Sequence, residues 1–206
     1  MWVILWLLMS KDSHSFQFSI FLIQGNLDYW DIINKYYGSD EDAPLRKILV
    51  RHSTDVANMA LEILKRHPEL NLDARFVEEA AMLHDIGIVK CDAPGISCLG
   101  AEPYLCHGRL GADMLRNEGY PDHARVCERH TGAGIGVAEI MSRNLPLPHQ
   151  NFLPETMAEK LICYADKFYS KSHLDHTKTV DEAEHSVAKF SDEGLKRFKE
   201  WEKIFR

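Results

Sequence analysis

"AAMLHDIGI", residues 80–88, is an apolar helical run that ends on two adjacent ionisable groups, His84 and Asp85, with Gly87 close behind. A carboxylate is costly to bury, and the negative end of a helix dipole adds to that cost. A metal ion removes the conflict, because it takes a neutral imidazole nitrogen and a carboxylate oxygen together. A carboxylate, having two oxygens, can also bridge two ions. The stretch therefore predicts a metal-ligating pair at the inner end of a core helix.

Around this stretch the periodicity is helical and strand signals are scarce. Leu45–Arg66 carries Ile48, Val56, Ala60, Ile63 and Leu64 at helical spacing and is closed by Pro68. Phe76–Ile86 is a second helix stopped by Gly87, and His107–Asn117 a third ended by Gly119. Pro121 suits the first turn of a fourth that runs to about His130, followed by Met157–Tyr169, Val180–Phe190 and Asp192–Phe205. Lys90–Cys106, aperiodic and rich in glycine and proline, reads as a long loop. The fold class expected is an all-α, compact helical bundle.

Further polar residues fall on the inner faces or at the ends of these helices. His52 shares a face with Val56, Met59 and Ile63, and Asp166 stacks over Ile162 and Cys163. His107 opens a helix, while His130 closes one before the turn Thr131–Gly134. Any one of these histidines alone reads better as a hydrogen-bonded core residue, whereas an Asp near a helix C-terminus is harder to dismiss because the dipole there disfavours an anion. His67, His123, His149, His173, His176 and His185 read as surface residues. Asp55, three positions beyond His52, reads either as a partner that orients its ring or as an exposed group.

With 206 residues, 45% hydrophobic and 27% charged, the chain suits one soluble domain with a sizeable core. A net charge of −7 with scattered cations argues against extended nucleic-acid binding. The 5 cysteines include no CxxC pair and suggest a reducing cytoplasm rather than a disulfide framework; Cys91, Cys98 and Cys106 fit no zinc spacing. Residues 1–26 form an atypical apolar leader. Its run Met1–Met9 is too short to span a bilayer and lacks signal-peptide features; a packed extension, a weak membrane anchor and a translation start upstream of the natural one all stay open, and no firm membrane association is expected. The single domain is expected at 27–206, with a metal-site core at 45–170 and C-terminal helices at 178–206.

The ordered set His52, His84-Asp85, His107, His130 and Asp166 resembles the HD-domain metal-dependent phosphohydrolases of the HDIG type, over residues 45–170. The resemblance implies an all-helical HD-domain bundle in which His52, His84, Asp85 and Asp166 hold one metal ion. His107 and His130, with Asp85 as the bridge, would hold a second, as in the dinuclear bacterial branch. Iron or manganese suits this imidazole and carboxylate set, and zinc, nickel and magnesium are also compatible. Cys106–Gly108, Arg129–Gly132 and Tyr164–Lys167 spell CHG, RHTG and YADK, as in the bacterial enzymes that symmetrically hydrolyse dinucleoside tetraphosphates. The Lys90–Cys106 loop is longer than expected for that group. Gly119-Tyr120-Pro121 matches a tripeptide of cyclic-dinucleotide phosphodiesterases, but without the His-His pair that precedes it there. A helix C-cap followed by a first-turn proline explains it better.

The implied activity is hydrolysis of a phosphoester or phosphoanhydride in a nucleotide or small phosphorylated metabolite, by water activated between the ions. Asp85, Lys167 and Arg129 are the catalytic candidates, the two cations as phosphate ligands; Arg109 and Lys90 are further cations near ligands in sequence. A di-iron oxygenase and a non-catalytic metal-binding regulatory module remain open alternatives.

Overall fold

The computed structural model describes residues 28–206; the leader lies outside them. Nine α-helices are present among the described residues: α1 (Tyr29–Tyr37), α2 (Pro44–Arg66), α3 (Ala74–Leu83), α4 (His107–Asn117), α5 (Pro121–Arg129), α6 (Val137–Ser142), α7 (Met157–Asp166), α8 (Val180–Phe190) and α9 (Asp192–Phe205). The all-α expectation holds. None of these helices is long and apolar enough to cross a membrane.

Burial follows the sequence periodicity. In α2, Leu49, His52, Val56, Ala60 and Ile63 are all buried, so His52 lies within the apolar stripe that packs on α3 and α7. Val77, Ala80 and Ala81 of α3 and Leu161, Ile162 and Ala165 of α7 share the same core. α4 packs against α5. Between them Gly119 adopts φ 87° and Pro121 begins α5, as the helix-cap reading of Gly-Tyr-Pro requires. Phe198 and Phe205 of α9 pack on the Tyr164 ring, with centroids 5.0 and 5.4 Å away. The same helix anchors the turn after α5, where Arg197 donates to Ala133 O and Gly134 O, each at 2.7 Å.

Four expectations are corrected. α3 ends at Leu83, with His84 as its C-cap, and a 3-10 turn spans Ile86–Lys90. Gly87 is thus no helix stop but a point of close contact. A Cβ there would lie 2.1 Å from His107 O and 2.4 Å from Gly111 N, so its bare Cα lets the first turns of α4 press against the segment carrying Asp85. α7 ends at Asp166 rather than Tyr169.

The Lys90–Cys106 segment is also not irregular throughout. It folds into a 3-stranded sheet, β1 (Cys91–Ala93) between antiparallel β2 (Cys98–Leu99) and parallel β3 (Glu102–Pro103). These strands are too short to leave an alternating pattern in the sequence. Finally, His123 is not on the surface. It is buried on α5, with Nε2 3.2 Å from Glu79 Oε2 of α3 and its ring packed on Phe76.

Two outcomes follow from these contacts. Gly87→Ala forces backbone apart where no flexible side chain can yield. It is expected to cost about 1–3 kcal/mol, read as a lower melting temperature; an unchanged melt would refute the close-contact role. Burial lowers the His123 pKa against the opposing pull of Glu79. The unfolded chain then binds more protons, so this residue's stability contribution is present above about pH 6.5 and is lost as pH falls. Urea melts of His123→Gln should show a shallower loss of stability on acidification than the wild type.

Candidate metal centre

Three of the four imidazoles at the site are placed by the same local device. His84, His107 and His130 each stand at the C-terminal cap of a short helical element. Each directs Nδ1 at the carbonyl three residues earlier: Ala81 O at 2.6 Å, Tyr104 O at 2.6 Å and Cys127 O at 2.7 Å. Nδ1–H therefore donates to a carbonyl near the end of its helical element, which at Tyr104 O also accepts the His107 backbone N–H, and Nε2 is turned toward the centre of the protein. His52 reaches the same centre from the middle of α2, and its own Nδ1 is buried without a hydrogen-bond partner among the described residues.

Asp85 divides these rings into two groups. Its Oδ2 lies 3.1 Å from both His52 Nε2 and His84 Nε2, and Asp166 Oδ1 lies 3.0 Å from His52 Nε2. Its Oδ1 faces His107 Nε2 at 3.4 Å and His130 Nε2 at 3.3 Å. Asp85 is completely buried, and no contact to either oxygen meets hydrogen-bond geometry among the described residues.

These positions fit divalent ions. Donors held about 2.0–2.2 Å from one ion sit roughly 3.0–3.5 Å from each other, which is the spacing found in both groups. In the second group burial pushes the His107 pKa down to about 3 and also lowers that of His130, so both rings are neutral. With Nδ1 protonated, their Nε2 lone pairs face one another at 3.0 Å, beside a carboxylate oxygen. Such an arrangement of electron-rich atoms is unfavourable without a cation. In the first group burial pulls the His84 pKa down, but Asp85 and Asp166 outweigh it and carry it up to about 9, so a proton serves there as a cation. Burial opposes ionisation of Asp85 and Asp166 too. Lys171 and His84 nonetheless hold Asp85 well below the usual carboxylate range, and Lys167 and His52 do the same for Asp166.

A cavity of about 640 Å³ opens beside the second group, reaching His107, His130 and Asp166. Lys167, Lys171 and Lys178 line one side, and Ile96, Tyr104, Leu105 and Phe190 supply apolar walls. All six proposed ligands are brought together, and Lys167 lies on the cavity with Nζ 2.5 Å from Asp166 Oδ2 and 3.0 Å from His130 O.

The structure does not bring Arg129 there. Its guanidinium pairs with Glu155 at 2.7 Å and donates to Leu153 O at 3.2 Å, tying α5 to the start of α7. Arg109 pairs with Asp113, and Lys90 is exposed. Asp55 pairs with Arg51 rather than with the His52 ring. All five cysteines are free and buried, and none joins a candidate metal group among the described residues.

Sequence reading missed Lys171, whose Nζ lies 2.5 Å from Asp85 Oδ2. It follows the end of α7, where helical spacing no longer tells which way a side chain points. It also missed Tyr104, which stacks on His107 with centroids 4.7 Å apart, and Tyr37, whose hydroxyl donates to Ile86 O and accepts from Val89 N.

Comparison with known proteins agrees with this geometry. The chain is 34% identical over 141 residues to a tRNA (cytidine(56)-2'-O)-methyltransferase of Thermoplasma volcanium, and 32% identical over 134 residues to the protein of the same name in Picrophilus torridus. These matches take in 68% and 65% of this chain but only 35% of each relative, so the chain spans about a third of their length. An uncharacterised protein of Methanocaldococcus jannaschii is 33% identical over 121 residues, which are 57% of this chain and 64% of that one. No solved structure is significantly similar. The HD domain family model matches residues 49–170, a helical fold of the metal-dependent hydrolase type that contains the whole buried His/Asp cluster, and the chain belongs to the HD-domain family.

Proposed function

We propose that this chain is a metal-dependent phosphohydrolase that cleaves a phosphoester or phosphoanhydride of a nucleotide or other small phosphorylated metabolite. The observation that carries this reading is the division of the Asp85 oxygens between two donor groups, beside a cavity lined by ammonium groups. His52, His84, Asp85 and Asp166 would hold one divalent ion, and Asp85, His107 and His130 a second. Iron or manganese suits the mixed donors best. Such ions supply Lewis acidity, which brings water within reach of ionisation near neutral pH and stabilises phosphoryl oxygens.

The chain's own residues have separable tasks. The backbone carbonyls of Ala81, Tyr104 and Cys127 hold three imidazoles in the tautomer that presents Nε2. Lys167 is in place to bind a phosphate oxygen, its ammonium fixed by His130 O and Asp166. Ile96, Tyr104 and Phe190 offer a dry surface to the uncharged part of the substrate. The methyltransferase names belong to chains most of whose length has no counterpart here. We read the shared part as carrying the hydrolase-type site.

The test is metal analysis of anaerobically purified protein, followed by phosphate release from a nucleotide panel with added iron or manganese. Oxygen consumption without phosphate release would favour the oxygenase alternative, and intact metal sites with neither activity the regulatory module. Asp85→Ala should lose both ions, whereas His107→Ala or His130→Ala should lower the stoichiometry from about two to about one. Retention of both ions in Asp85→Ala would sink the bridging role.

Lys167→Met should reduce kcat/KM on a phosphorylated substrate by about ten- to a hundredfold, the value of a charge-assisted contact of about 1.5–3 kcal/mol. Arg129→Met, acting away from the cavity, should leave it nearly unchanged. Equal losses in the two variants would remove Lys167 from the phosphate site.

A further inference from the structure

Beyond α7 the chain turns back and lays Lys171 over the buried site. Its side chain is 12% exposed, and Nζ stands 2.5 Å from Asp85 Oδ2. That is the oxygen which His52 and His84 also face at 3.1 Å. The neighbouring Lys167 differs: it takes Asp166 Oδ2, whereas the donor group uses Asp166 Oδ1. Lys171 therefore occupies an oxygen that a divalent ion in the first donor group also needs. An ammonium and a divalent ion on one carboxylate oxygen repel strongly in a low-dielectric interior.

The same side chain lines the cavity, next to Ser170 and Ser172. A flexible four-carbon stem allows the ammonium to move into that space without disturbing the backbone. We propose that Lys171 is a displaceable counter-cation: it neutralises Asp85 until a divalent ion enters the His52, His84, Asp85 and Asp166 group, then turns into the cavity to bind a phosphate oxygen of the substrate. The exchange at Asp85 stands on these contacts alone, while the identity of the anion rests on the phosphohydrolase reading. One consequence is that the cavity gains a free positive charge only when the site is loaded, so affinity for the anion follows metal occupancy.

The experiment titrates Mn²⁺ into the metal-free full chain and into Lys171→Met without phosphate, then titrates inorganic phosphate into each Mn²⁺-loaded protein. Lys171→Met is expected to bind the tighter Mn²⁺ equivalent about tenfold more strongly, and to bind phosphate about tenfold more weakly. Lys178→Met removes a cavity ammonium that pairs with no carboxylate among the described residues and donates to Lys167 O at 3.3 Å. It should weaken phosphate binding and leave Mn²⁺ affinity unchanged. If Lys171→Met does not fold without metal, Lys171→Gln carries the same expectations, since it keeps a polar group beside Asp85 but removes the charge.

Mn²⁺ affinity that is equal or weaker in a folded Lys171 variant overturns the exchange, even where the wild type hydrolyses nucleotides. Tighter Mn²⁺ binding in a protein that hydrolyses none supports the exchange and overturns only the function proposed above.

Discussion

A carboxylate sealed in the core, with four imidazoles divided between its two oxygens, is the constraint on which this fold depends. Removing an ionised group from water costs several kcal/mol unless partners surround it. The helices are arranged to supply those partners. α2 brings His52, α3 ends on His84, α5 ends on His130 and the start of α4 delivers His107. The arrangement demands a close approach between α4 and the Asp85 segment, which the missing side chain at Gly87 allows. Tyr37 pins that segment from the other side through Ile86 O and Val89 N.

Helix ends perform two jobs here. The last carbonyls of an α-helix lack intrahelical donors; Ala81 O and Cys127 O near the ends of α3 and α5 are met by imidazole Nδ1–H groups, and Tyr104 O takes a third beside the His107 backbone N–H. The bond that closes the helix therefore also fixes the tautomer and direction of the ring. Backbone geometry thus presents the Nε2 atoms rigidly, with no need for separate side chains to orient those rings. α9 extends this support through Arg197, which holds the Thr131–Gly134 turn just after His130.

The cations around the site fall into two kinds. Arg125 and Arg129 grip Glu155 and Glu159, joining α5 to the N-terminus of α7, whose capping box uses the same Glu159. Those charges frame the fold. Lys167, Lys171 and Lys178 instead line the cavity, Lys167 against Asp166 and Lys171 against Asp85. Closeness to a ligand in sequence does not separate the two kinds. Arg129 adjoins His130 yet turns outward, whereas Lys171 lies five positions past Asp166 and turns in.

By itself the sequence determined the helical class, the limits of α4, α8 and α9, and the identity of the His/Asp cluster. Helical spacing places His52 and Asp166 on apolar faces, and a polar group on such a face needs a partner. Only the tertiary structure decided that Gly87 serves a close helix approach and that His123 is buried against Glu79. The same is true of the strands within Lys90–Cys106 and of the approach of Lys171 to Asp85. The reason is physical: spacing along one helix gives a direction relative to that helix. Which atoms meet across α2, α3, α4, α5 and α7, and which lysine reaches a shared oxygen, depends on how separate elements pack in space.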